Sequence, residues 1–237
     1  MIALLAAGLF LPVKGATICL TFHDIVPDDF AQRLWFDCTE SEFKAEIGWL
    51  ERHGAHFISV PQLYGHLSKG APLPSHPVCL TFADNYLGFL LRAYPLLKQE
   101  RIPSAMFVHT GYVGSPIGRP KMDWPQLQSL TRDCLCLIES QTVSHPADLR
   151  TLTNRQLDSE MVRSRQDLQR QLGVAVDYVA YPNGKFDRRS EEAAHRAGYK
   201  MAFTEVLNTA ERSPNLFAVN RYVHTKFKRA WRDAAKG

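Results

Sequence analysis

Short runs of strand-forming residues alternate with longer stretches of helical spacing along nearly the whole chain, and no low-complexity linker interrupts them. This alternation is the strongest constraint on the fold, because strands separated by helices pack as a parallel sheet with helices on its outside. ATICLTFHDI reads as a strand, and Glu42 to His53 has helical spacing with Phe43, Ile47 and Leu50 on one face and Gly54 as its stop. FISV, a helix around Gln62 to Leu67 and the strand PVCLTF follow, then a helix from Phe89 to Lys98 and the strand SAMFVHT, which runs into a Gly- and Pro-rich loop ending at Pro120. A helix near Pro125 to Leu130, the strand CLIESQ, a long helix from Asn154 to Leu172, the strand DYVAYP, a helix from Arg188 to Ala197 and the strands MAFT and FAVNRYV complete the pattern. The expected fold class is α/β, a single (β/α) barrel of seven to eight strands, irregular or incomplete, with its chemistry on loops at the C-terminal strand ends.

At 237 residues and 45% hydrophobic, the chain can bury one large core or at most two small ones. The formal charge of +4 is spread along the sequence and gives no support for a nucleic-acid partner. We expect three parts: an apolar segment over 1–16, a domain over 17–225 and a solvated basic tail over 226–237. The first segment, MIALLAAGLFLPVKGA, breaks at Pro12, too short for a transmembrane span and similar to the apolar part of a secretory signal, although the basic start and small-residue cleavage site are missing. Periplasmic or extracellular location is the corresponding expectation, with a buried first element or a truncated gene start left open. Five cysteines are present; Cys19 and Cys79 fall inside core strands, and Cys134-x-Cys136 is too closely spaced for a zinc knuckle.

Four polar clusters fall at the expected C-terminal strand ends: His23 and Asp24; Asp84 and Asn85; Gln141, His145 and Asp148; Asn183 and Gly184. Each has a plain structural reading, as a helix cap, an ordinary loop or a Pro-Asn-Gly turn. In order, they resemble the polysaccharide deacetylases of carbohydrate esterase family four, with the nodulation-protein-like homology domain, and within them the branch acting on poly-β-1,6-N-acetylglucosamine. The family's Thr-Phe-Asp-Asp-Gly motif is matched by Thr81-Phe82-Ala83-Asp84-Asn85, and its His-[Ser/Thr]-x-x-His motif by Gln141-Thr142-Val143-Ser144-His145. Its third-motif turn is matched by Pro182-Asn183-Gly184, and the Tyr-His-Asp segment of the poly-N-acetylglucosamine branch by Phe22-His23-Asp24. The resemblance runs from about Thr17 to about His224.

A divalent metal held by one carboxylate and two imidazoles polarises both a water and an acetyl carbonyl, as amide hydrolysis requires. The resemblance implies Asp84 and His145 as metal ligands, His23 as the acid for the leaving amine and the Asn183 N–H as oxyanion donor. Two positions depart from the pattern. Ala83 stands where the base belongs, and removing a general base costs about 10²- to 10⁴-fold in rate. Gln141 stands where the third ligand belongs, leaving two strong protein ligands. Asp24 as a substitute base and His109 as a substitute ligand are the available rescues, against capping for Asp24 and a core or rim histidine for His109. Asn85 replaces the usual glycine and tolerates left-handed geometry better than most residues. Tyr86, Tyr112, Trp124 and Tyr181 are candidate sugar platforms, each with a core reading beside it. The sequence therefore implies a deacetylase-like protein directed at acetylated amino-sugar polysaccharide. It is impaired in catalysis and weakened or lacking in binding of zinc, nickel or cobalt; the alternative is an active deacetylase with a non-standard site.

Overall fold

The computed structural model describes residues 15–236. Positions 1–14 of the apolar first segment lie outside the described residues.

Among the described residues, ten strands and seven α-helices are formed in the order β1 (Ile18–Phe22), β2 (Ile25–Val26), β3 (Cys38–Thr39), α1 (Glu40–Arg52), β4 (His56–Ile58), α2 (Val60–Lys69), β5 (Pro77–Ala83), α3 (Tyr94–Gln99), β6 (Ser104–Val108), α4 (Trp124–Leu130), β7 (Cys136–Ser140), α5 (Asn154–Leu172), β8 (Tyr178–Ala180), α6 (Arg188–Arg196), β9 (Met201–Phe203), β10 (Tyr222–Val223) and α7 (Phe227–Ala234). Eight strands make one parallel sheet in the order β10-β1-β5-β6-β7-β8-β9, with β4 also paired to β5. The segment just before β10 reaches back to the far edge, where Val219 bridges Phe203 of β9. One short stretch thus touches both edges of the curled sheet, and the incomplete (β/α) barrel expected from the sequence is what forms.

Strand alternation sorts the core into two layers. Ile18, Leu20, Phe22, Val78, Leu80 and Phe82 point outward to the helices. Cys19, Cys79, Ala105, Phe107, Ala180 and Phe203 fill the barrel interior. Because β1 and β5 pair in register from Ile18–Val78 to Phe22–Phe82, Cys19 lies directly beside Cys79, and both remain free buried thiols.

Helix starts are fixed locally. Thr39 with Glu42, Ser59 with Gln62, Asp123 with Gln126, and Thr153 with Gln156 each form reciprocal capping boxes, satisfying N–H groups that the first turn leaves unpaired. The helix expected over Phe89–Lys98 opens instead with a wide π-turn from Phe89 to Ala93 before α3. The basic C-terminal stretch, expected to be a solvated tail, is helix α7 with Ala230 and Ala234 buried. Its Trp231 packs edge-on against Trp49 of α1 at 5.7 Å, so only the outer face of the helix carries the charge.

Candidate active site

The C-terminal ends of β5 and β7 turn through left-handed backbone: Asp84 (φ 68°), Asn85 (φ 41°), Thr142 (φ 70°) and His145 (φ 50°), with Asn183 (φ 54°) in the turn after β8. Non-glycine residues rarely adopt this region, and clusters of such strain mark functional sites. The loop carrying His145 is held by Glu160 of α5, whose carboxylate accepts from the N–H groups of Val143 (2.8 Å) and Ser144 (2.9 Å) and from Ser144 Oγ (2.7 Å).

These ends surround a cleft of about 120 Å³ lined by His23, Trp35, Phe36, Asp84, Gln141, His145, Asn183 and Glu205. Five sequence-assigned residues, His23, Asp84, Gln141, His145 and Asn183, meet there although they come from four separate strand ends. Ala83 is the last residue of β5 and fully buried, so its position offers a methyl group and no proton acceptor.

The Gln141 side chain has a fixed orientation. Its Oε1 accepts the main-chain N–H of Asp84 at 2.8 Å, so its amino group must face the other way, where Nε2 lies 3.3 Å from His145 Nε2. Asp84 Oδ1 is 3.4 Å from His145 Nε2, longer than an ordinary N–H···O bond, and is buried without a hydrogen-bond partner. Burial would raise the Asp84 carboxyl, but His145, His23 and His109 outweigh it and hold the group below the usual carboxylate range.

A divalent ion would need a third donor beside Asp84 and His145. Gln141 presents N–H groups there, and an amide nitrogen carries no lone pair for a metal. His109 turns its Nε2 to the Asp84 carbonyl at 3.0 Å, and its other ring nitrogen is buried without a partner. Nor do His23 and Glu205 close the set, since among the described residues no three donor atoms of this cleft lie within 4.8 Å of one another; the residues present do not fit a three-ligand metal site.

Asp24 does not enter the cleft. Its carboxylate faces Arg119 at 3.4 Å in a neighbouring pocket with Phe30, Leu87 and Gly88. Gly88 is required there, since a Cβ would meet Asp24 Oδ1 at 2.1 Å. Arg119 is itself tied to Asp37 and to the Gln32 carbonyl. Asp148 caps the turn from Leu149 to Thr151 and pairs with Arg150.

The four aromatic residues proposed as sugar platforms lie outside the cleft lining. Tyr181 is fully buried, stacked on Phe186 at 4.9 Å with its hydroxyl donating to the Phe217 carbonyl, because its side chain points into the helix layer. Tyr86 lies under Lys121, whose Nζ is 3.3 Å from its ring centre, and Trp124 packs half-buried against the outer core. Tyr112 is 42% exposed and rests against His109. The aromatics at the cleft are Trp35, 71% exposed, and Phe36, whose ring lies 4.9 Å from that of His23. Sequence reasoning missed both, and it also missed Glu205, whose Oε1 is 4.0 Å from His23 Nε2. The adjacent letters LWF on a loop were the signal for the aromatics. Nothing in the sequence marked Glu205.

Behind Phe36, the donor atoms of Cys38, Glu46 and His224 lie within 4.8 Å of one another. His224 bonds Glu46 at 3.1 Å through Nδ1 and faces the Phe36 carbonyl at 3.3 Å through Nε2, so both ring nitrogens are occupied in supporting the cleft wall.

The chain is a curled parallel sheet with a polar cleft at the C-terminal ends of its strands; members of the polysaccharide deacetylase class are generally metal-dependent hydrolases. The polysaccharide deacetylase family pattern matches residues 70–202, and the chain belongs to that family. A poly-β-1,6-N-acetyl-D-glucosamine N-deacetylase of Staphylococcus aureus is 25% identical over 182 residues, covering 71% of this chain and 61% of that protein. The chain thus spans about three fifths of the length of the curated relatives it matches. Among solved structures, IcaB from Ammonifex degensii superposes with a TM-score of 0.81 at 23% identity, covering 94% of this chain and 98% of that one. The Streptococcus pyogenes deacetylase PplD, solved with acetate, gives 0.79 at 22% identity over 93% and 99% of the two chains.

Proposed function

We propose that this chain is a polysaccharide deacetylase-like protein whose cleft engages N-acetylglucosamine polymer while its hydrolytic centre is impaired. The observation that carries this reading is the orientation of Gln141. The Asp84 N–H occupies its carbonyl oxygen, and its amino group points to His145 where a ligand lone pair would be needed. Ala83 adds a second deficit, since no proton acceptor stands in the base's place. Trp35 and Phe36 support retention of the sugar, as an exposed indole at a polar cleft offers a flat apolar face to a pyranose ring. The S. aureus relative is named as an N-deacetylase of poly-β-1,6-N-acetyl-D-glucosamine, and a polymer of that kind supports a place of work in the periplasm or outside the cell.

His23 stands at the position that the resemblance gives to the acid for the leaving amine. Burial lowers its pKa, and its Nε2 lies 4.0 Å from the Glu205 carboxylate. The Asn183 N–H, at the same cleft, is the oxyanion donor in this reading. A second reading, an active N-deacetylase with a non-standard site, is favoured by Glu205, a carboxylate that lines the same cleft.

Acetate release from N-acetylglucosamine oligomers with added divalent metal separates the two. If the cleft is intact and the two substitutions silence it, only the Ala83→Asp, Gln141→His double variant turns over. Release by the unaltered protein, abolished by Glu205→Gln, would establish the second reading instead.

A further inference from the structure

We infer that the outer face of α7 is a docking surface for an anionic lipid membrane, separate from the cleft and independent of what the cleft binds. Six basic side chains gather there, all exposed: Arg212 in the segment after β9, Lys226, Lys228, Arg229 and Arg232 along α7, and Lys236 in the turn that follows it. Arg229 pairs with Asp233 at 3.3 Å, and that acid also accepts from the Tyr222 hydroxyl at 2.9 Å; among the described residues the other five form no ion pair. The six outnumber the formal charge of the whole chain, +4, so the rest of the sequence is close to neutral.

The helical period sets Lys228, Arg232 and Lys236 in one row, four residues apart, with Arg229 beside it. The opposite side carries Ala230 and Ala234, both buried, and Phe227 and Trp231, whose rings meet Trp49 of α1 edge-on at 5.4 Å and 5.7 Å. α7 is therefore fixed to the fold by its apolar side, and the basic row faces solvent. Two shallow grooves that share Arg229 flank the row, one lined by Lys226, Lys228 and Arg232 and the other by Arg212, Asp233 and Lys236.

The occupant follows from what joins the fold beside this face. Residues 2–13, IALLAAGLFLPV, carry no charge, and the chain enters the described fold where the Ala16 N–H donates to the Ala234 carbonyl at 3.0 Å, at the C-terminal end of α7. An apolar segment and a basic cluster are two signals that together hold a protein on an anionic bilayer, where one alone binds weakly and reversibly. A soluble polyanion would engage the basic side chains only, and a second copy presenting the same face is repelled by it. His23 and the cleft stand at the far end of β1 from Ala16, so attachment here leaves the cleft open to solution.

The test is cosedimentation of the full chain with vesicles of phosphatidylcholine mixed with phosphatidylglycerol, beside vesicles of phosphatidylcholine alone, at low and high salt. Binding to the mixed vesicles is expected, weakening with salt as the exposed charges are screened. Each basic side chain at such a surface is worth about fivefold in partitioning, so Lys228→Gln, Arg232→Gln and Lys236→Gln together should lower it by at least about tenfold. The control Lys69→Gln, Arg155→Gln, Arg163→Gln removes the same charge from exposed positions elsewhere and should change it by less than about twofold. Both triple variants should keep the parent's melting transition and its affinity for amino-sugar oligomers. No binding to the mixed vesicles, equal binding to both kinds of vesicle, equal losses in the two variants, or binding to heparin alone overturns the docking surface. None of these outcomes touches the sugar-binding reading of the cleft, which fails only if the oligomers do not bind.

Discussion

The main-chain N–H of Asp84 donates to Gln141 Oε1 across 2.8 Å, tying the end of β5 to the end of β7 through residues 57 apart in sequence. This bond fixes which end of the Gln141 amide faces the cleft, and with it the chemistry of the centre. A histidine at 141 would return an imidazole lone pair to the site. Gln141→His should therefore raise zinc affinity by at least about 10- to 100-fold, the scale set by weaker outer-shell losses. Competition with a chromophoric chelator measures it, and an unchanged affinity would show that position 141 does not reach the ion.

Trp35 should act through its exposed face. At 71% exposure it adds little to the core, so Trp35→Ala is expected to leave the melting temperature unchanged. Loss of a stacking contact worth about 0.5–1.5 kcal/mol should raise the Kd for amino-sugar oligomers about 2- to 12-fold. Equal affinity in a titration of the variant would remove Trp35 from the sugar site.

Glu139 provides a pH-dependent probe of the barrel interior, away from the cleft. It is fully enclosed and accepts from the N–H groups of Asp177 (2.9 Å) and Tyr178 (2.8 Å); burial raises its pKa well above the usual value. A raised folded-state pKa means that the stability Glu139 contributes is complete below the unfolded value, near 4.5, and is lost as pH rises toward the folded value. Glu139→Gln keeps an oxygen acceptor and removes the charge. The variant should melt a few degrees higher than the parent at pH 7–8, with the difference closing toward pH 4. Melts whose difference is the same at every pH would refute this.

Gly184 joins the third-motif turn to Glu205. It adopts φ 62°, and a Cβ there would lie 2.9 Å from both Cβ and N of Glu205. Gly184→Ala should destabilise by about 1–3 kcal/mol through the left-handed backbone and the clash. It should also displace Glu205, so ligand affinity is expected to fall along with stability. Denaturant unfolding and titration together check both effects; a variant as stable as the parent would contradict the contact.

The linear pattern alone determined much of this protein. Strand and helix alternation dictated a parallel α/β barrel because each strand run is short and apolar and each helix run has one apolar face. The four polar clusters lay at C-terminal strand ends because the chain must turn there, and a parallel sheet gathers all such ends on one side. His23, Asp84, Gln141, His145 and Asn183 were legible for that reason.

Only the tertiary structure decided where the side chains point and which loops arrive. Asp24 follows His23 directly, yet in the short link between β1 and β2 its carboxylate faces Arg119 outside the cleft. Tyr181 precedes the third-motif turn, yet faces the helix layer and is fully buried. Trp35 and Glu205 stand 170 residues apart and meet only because the sheet curls until the segment after β9 lies beside the loop after β2. The decisive orientation, that of the Gln141 amide, depends on a backbone N–H 57 residues away. Local spacing carries no record of such a partner, because the hydrogen bond exists only once β5 and β7 have taken their places on either side of β6.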